Sequence, residues 1–145
     1  MIPQMEKLSD EEQQLLFRAP VLVSVLASCS YKEVNEKQKA DAIKLAHLKT
    51  FTAVPVLLPY YYEVDKIFRE EFENMVQRYY PFDTAQRQAL ELELRKVHRV
   101  MAKLNKEYAL ALSKSLDRYA DHVKKADHSV FQDFLFAFSI PGLSK

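Results

Sequence analysis

Glycine is almost missing from this chain. Its 145 residues include a single glycine, Gly142, where average usage would give roughly ten. Phosphate-cradling loops, dinucleotide-binding turns and two-residue hairpins need glycine for positive φ or close backbone approach, so the composition speaks against all three. Cysteine is as scarce. Cys29 stands alone and cannot form an internal disulfide, which suits a reducing compartment. Net charge is absent too: the formal value is +1, giving no overall field toward nucleic acid or a membrane surface. The longest apolar stretches, around 21–29 and 54–62, are about half a bilayer span, so no membrane association is expected. The opening residues Met1-Ile2-Pro3-Gln4 carry neither a basic nor an apolar signal region, and a cytoplasmic protein is expected.

What is present reads as helix. Nearly half of the residues are apolar and 28% are charged, as in ordinary globular proteins, and the length suits one domain with a real core. Ser9-Asp10-Glu11-Glu12 forms a capping-box pattern, and Asn35 and Asp83 open two further helical stretches with the same logic. Leu15, Leu16, Val21, Leu22, Val25 and Leu26 give the first helical region, which Pro20 must kink or divide. A helix from about Glu36 to Leu48 is predicted, with Ala40, Ile43, Ala46 and His47 facing inward. The stretch "TFTAVPVLLPYYY" is an irregular connector, because Pro55 and Pro59 disfavour helix at the preceding residues. A third helix spans roughly Tyr60 to Tyr79, with Val64, Ile67, Phe68, Phe72, Met75 and Val76 inward, and Pro81 stops it.

Residues 83–127 contain neither Gly nor Pro, and Leu90, Leu94, Val97, Met101, Leu104, Tyr108 and Ala111 keep a heptad rhythm. One unbroken helix there would be about 66 Å long, more than twice the roughly 30 Å of a small domain. A break is therefore expected near Leu104 to Lys106, with Asn105 capping a second helix. A short aromatic helix at about 129–138 closes the pattern. The expected fold is all-α, one domain of five to seven bundled helices.

The stretch "VLVSVLASCSYKEVNEKQKADAIKLA", residues 21–46, resembles the first helix, connector and second helix of the tellurite-resistance TerB-like family. That family is all-helical, has a connector reading roughly Ala-Asp-Gly-x-Ile, and has acidic positions linked to metal binding. The resemblance implies that Val34 packs between the helices. It also places Tyr31 at the family's Asp, Lys32 at its Gly, and Gln38 at the acid that opens the next helix. Hard cations want several carboxylate or carbonyl oxygens, and Lys32 and Lys37 would repel one, so no metal is expected at this connector. A TerB-like metal-associated stress-response role would have to use acids elsewhere, such as Glu70, Glu71 and Glu73.

Other chemistry is thin. His122 and His128 in "DHVKKADH" are six apart and do not share a helix face, unlike metal-binding pairs three or four apart. Three residues before His98 stands Arg95, so the Glu-x-x-His signature of di-iron bundles is absent. His47 reads as a partly buried histidine, and Cys29 as a small apolar residue, although His47 could approach it. No acid, base and nucleophile converge, so no enzyme, catalytic residue or cofactor is expected.

Charge is uneven along the chain. Arg95 to Lys125 holds nine basic residues against three acids, whereas Glu63 to Glu93 holds eight acids against four bases. Arg95, Arg99, Lys103 and Lys106 are expected to share a face as a basic stripe, which could meet nucleic acid or an acidic protein. Neutralisation by a neighbouring acidic helix is the simpler expectation, and nucleic acid is not expected as a partner. Aromatics cluster at Tyr60, Tyr61 and Tyr62 and at Phe131, Phe134, Phe136 and Phe138. Three consecutive tyrosines cannot all face one core. These seven residues are therefore the expected interaction surface of a non-enzymatic scaffold domain that binds a protein partner or a second copy, as a dimer.

Overall fold

A computed structural model describes residues 2–30 and 33–124. They form an all-α fold, as the helical periodicity predicts. A 3-10 turn at Pro3–Met5 leads into α1 (Asp10–Phe17) and α2 (Ala19–Ser28). A minimal antiparallel ribbon, β1 (Cys29–Ser30) with β2 (Glu33–Val34), pairs Cys29 with Val34 and Ser30 with Glu33. Then follow α3 (Glu36–Thr52), a 3-10 turn at Pro55–Leu57, α4 (Leu58–Tyr79), α5 (Thr84–Met101) and α6 (Lys106–Lys124). The aromatic helix expected at 129–138 lies outside the described residues.

The helix starts follow local chemistry. The Ser9 hydroxyl accepts from the Glu12 amide at 3.1 Å, and the Glu12 carboxylate accepts from the Ser9 amide at 2.9 Å, completing the capping box. Asn35 accepts from the Gln38 amide at 3.0 Å, and Asp83 from the Gln86 amide at 2.9 Å. Pro20 falls in the first turn of α2, where its missing N–H is no loss, so it begins a segment rather than kinking one. Pro59 does the same for α4, which therefore starts two residues earlier than expected, at Leu58.

At the core sits α2. Ala19 to Leu26 and Ser28 are all buried, and α1, α3, α4, α5 and α6 all pack against this helix. Three β-branched residues, Val21, Val23 and Val25, give it poor intrinsic helicity. That penalty is at most about 0.7 kcal/mol per residue. Burying each side chain returns roughly 1.5–3 kcal/mol, so packing decides. A helix apolar all round is stable only when surrounded.

α3 lies antiparallel on α4, tied by Lys39 to Glu73 at 2.8 Å near one end and His47 to Asp65 at 3.1 Å toward the other. Its fully buried residues are Gln38, Ala42 and Ala46. Of the expected stripe, Ala46 is buried and Ile43 packs half-buried against the core, but Ala40 and His47 are exposed and do not face inward. α4 presents Tyr60, Tyr61, Val64, Phe68, Phe72 and Met75 to the core.

The helical phase from Leu90 to Ala111 is continuous, yet the chain breaks between Met101 and Lys106, where Asn105 accepts from the Glu107 and Tyr108 amides at 2.9 and 3.1 Å. α5 packs on α1 and α2, and α6 on α2 and α3. The expected basic stripe is thereby divided: Arg95 and Arg99 lie on α5, Lys103 in the turn, and Lys106 opens α6. Lys103 pairs with Glu12 of α1.

Candidate functional site

The tyrosine triplet splits. Tyr60 and Tyr61 are fully buried, which removes them from the expected interaction surface. Successive residues on a helix are 100° apart, and α4 is covered broadly enough here to take in both. The Tyr60 hydroxyl donates to the Leu16 carbonyl at 2.7 Å, and the Tyr61 hydroxyl shares a 2.6 Å hydrogen bond with Ser115 Oγ. Tyr62 alone faces out, 59% exposed, with the Lys66 ammonium 4.6 Å from its ring centre. Phe131, Phe134, Phe136 and Phe138 lie outside the described residues.

Residues 29–30 and 33–34 of the α2–α3 connector form the β1–β2 ribbon. Val34 is half-buried against the core. Gln38 is buried, and Tyr31 and Lys32 lie outside the described residues. Cys29 is buried, and burial pushes its thiol up to about 12, with Arg87 and Lys39 opposing and Glu36 adding. Among the described residues, the charged groups acting on it are Arg87, Lys39 and Glu36, none of them a histidine. The Arg87 guanidinium donates to the Cys29 carbonyl at 3.1 Å. His47 meets Asp65 and sits edge-on to Phe51, with ring centres 5.7 Å apart. Of the acids proposed as alternative ligands, Glu73 is engaged by Lys39, while Glu71 lines a cavity with Arg18 and Arg78. His122 is exposed on α6, and His128 lies outside the described residues. Among the described residues, no three His, Cys, Asp or Glu side chains group as metal ligands. No described helix is long and apolar enough to cross a membrane.

The exposed apolar surface lies beside the expected tyrosines. Among the described residues, Leu48, Phe51, Val54, Val56 and Tyr62 are large, apolar and well exposed, and all belong to the end of the α3–α4 hairpin. Phe51 reaches 73% exposure, the highest of the set. The other two such residues, Tyr80 and Leu92, lie on later elements.

On the α6 side of this end runs a groove of about 330 Å³. Thr52, Ala53, Val54 and Leu57 form one wall, and Leu110, Ala111 and Ser115 the other. Lys49, Lys114 and Arg118 line it against a single acid, Glu107. The Lys49 ammonium lies 5.7 Å from the centre of the Tyr61 ring. Partial burial, and then the Arg118 charge, hold Lys49 below the ordinary lysine range. Among the described residues, Lys39, Lys66, Lys96 and Lys103 each meet a carboxylate, but Lys49, Lys114 and Arg118 meet none.

Sequence reasoning found Tyr62 but missed Phe51, Val54 and Val56. The signal was available: a connector interrupted by prolines has no helical period, so its apolar residues cannot all turn to one core. Lys114 and Arg118, four apart on α6, likewise placed two cations on one face.

No protein-family model, no curated protein and no solved structure matches the chain.

Proposed function

We propose that this is a non-enzymatic interaction domain that docks a partner protein through the exposed end of the α3–α4 hairpin. The observation that carries this reading is the gathering of Leu48, Phe51, Val54, Val56 and Tyr62 at that one place. Single exposed apolar residues are ordinary, but a cluster of five with two aromatics has the composition of an interface centre. Lys49, Lys114 and Arg118 line the groove beside it, so the partner surface that fits is apolar with an acidic rim. A second copy fits less well. A two-fold contact would set this basic rim against itself.

A photo-crosslinking residue introduced in cells at Phe51, at Tyr62, and at Leu92 as the exposed control tests this. Crosslinks to one discrete protein from positions 51 and 62, absent from 92 and lost in a Val54→Asp background, are expected. Products identical at all three positions would overturn the reading. Crosslinks to another copy of the chain would replace partner docking with self-association.

A further inference from the structure

We propose that the α3–α6 groove is a binding site for an anionic amphiphile, with its carboxylate or phosphate headgroup held by Lys49, Lys114 and Arg118 and its apolar tail laid along Val54, Leu57, Leu110 and Ala111. This goes beyond partner docking and does not depend on it.

The charges make the first argument. Three cations line one groove with one acid among them, and among the described residues none of the three meets a carboxylate. Like charges held together without a counter-ion are unfavourable, and one of them, Lys49, is already partly withdrawn from water. An anion in the groove would relieve both penalties. Arg118 offers a planar fork suited to two oxygens of one headgroup, while Lys49 and Lys114 act as point charges.

The walls make the second argument. A site for a small inorganic anion would be lined by donors alone. Here the remaining lining is largely apolar: Leu57 is buried, Leu110 and Ala111 are half-buried, and Val54 is 48% exposed at the mouth. The polar groups between them are already engaged, Ser115 by the Tyr61 hydroxyl and Thr52 Oγ1 by donation to the Leu48 carbonyl. Recognition therefore falls to the three charges and the apolar wall. At about 330 Å³ the groove lies at the small end of ligand sites, enough for a headgroup and the first part of a chain. Val54 belongs both to the groove and to the exposed apolar end, so a longer tail would run out over that surface.

The test is titration calorimetry with decanoate, decyl phosphate, decyltrimethylammonium and inorganic phosphate, all below micelle-forming concentrations. Saturable one-to-one binding of decanoate or decyl phosphate is expected, with the tighter of the two identifying the headgroup. Inorganic phosphate should bind much more weakly, and decyltrimethylammonium not at all. The Lys114→Glu/Arg118→Glu variant, altered only at exposed positions, should bind at least about tenfold more weakly while keeping its helical circular dichroism. A milder Lys114→Gln/Arg118→Gln variant provides the same comparison if the charge reversal disturbs folding. Equal binding of the cationic amphiphile, inorganic phosphate as tight as decyl phosphate, no saturable binding, or undiminished binding by a folded variant would each overturn the proposal.

Discussion

Four buried tyrosines with different surroundings make the clearest test at the scale of single residues. The Tyr119 hydroxyl donates to the Ala42 carbonyl at 2.9 Å and lies 3.1 Å from Ser24 Oγ, which itself donates to the Pro20 carbonyl at 2.7 Å. One side chain thus ties α6 to α3 and α2. The Tyr108 hydroxyl is equally sequestered but has no hydrogen-bond partner among the described residues. A buried hydrogen bond contributes about 1 kcal/mol net, whereas a buried polar group left unpaired is a penalty. Tyr119→Phe should therefore lose about 1–2 kcal/mol in urea unfolding. Tyr108→Phe should be neutral or mildly stabilising. Equal losses in the two variants would show that ring packing, not the hydroxyl network, sets their contribution.

Among the elements, the turn between α5 and α6 is the most instructive. The heptad phase runs straight through it, and hydrophobic pattern alone reads as one helix. Length argued for a break, and Asn105 supplies the mechanism by satisfying two amides at once. Asn105→Ala should destabilise the fold by about 1 kcal/mol, as measured by chemical denaturation, and Asn105→Asp should retain most of the stability because its carboxylate accepts the same bonds. Loss of stability in both variants would exclude capping as the role.

Helix starts were legible at Ser9, Asn35 and Asp83 because capping is decided within four residues. The inward face of α3 was not. Its buried stripe is two alanines and a glutamine, a weak apolar signal, while Lys39 and Lys49 lay their stems inward, with their ammonium groups each 5.7 Å from the Phe72 and Tyr61 ring centres. Residues that are apolar along the stem and charged at the tip count as polar in any periodicity. For the same reason the cationic groove was not foreseen. It joins Lys49 to Lys114 and Arg118, side chains more than sixty positions apart, and only the packing of α3 against α6 brings them together.

For the whole molecule, the buried tyrosines set a limit at high pH. Burial raises the hydroxyls of Tyr61 and Tyr108 to about 12, and it raises those of Tyr60 and Tyr119 well above the ordinary tyrosine range. An acid whose folded value is raised stabilises the fold fully below its unfolded value, about 10 for tyrosine, and loses that stabilisation as pH climbs through the folded value. The protein should therefore hold its stability up to about pH 10 and then unfold cooperatively. Tyrosinate absorbance from these four residues should appear together with the loss of helical circular dichroism. Ionisation that preceded unfolding would mean that the tyrosine cluster is open to solvent. The surface pairs at Lys66–Glu63 and Lys96–Glu93, being exposed and local, contribute little, so moderate salt should leave stability nearly unchanged.

The encasement of α2 has a last consequence. Because five helices drawn from both sides of it in the chain form its sheath, no contiguous fragment carries a finished interior. A cut between α3 and α4 would strand α2 with only part of its covering, and the two pieces would gain their structure only on recombining. Amide protons along α2 can meet solvent only when the entire sheath opens, so their exchange with deuterium reads the global free energy of unfolding.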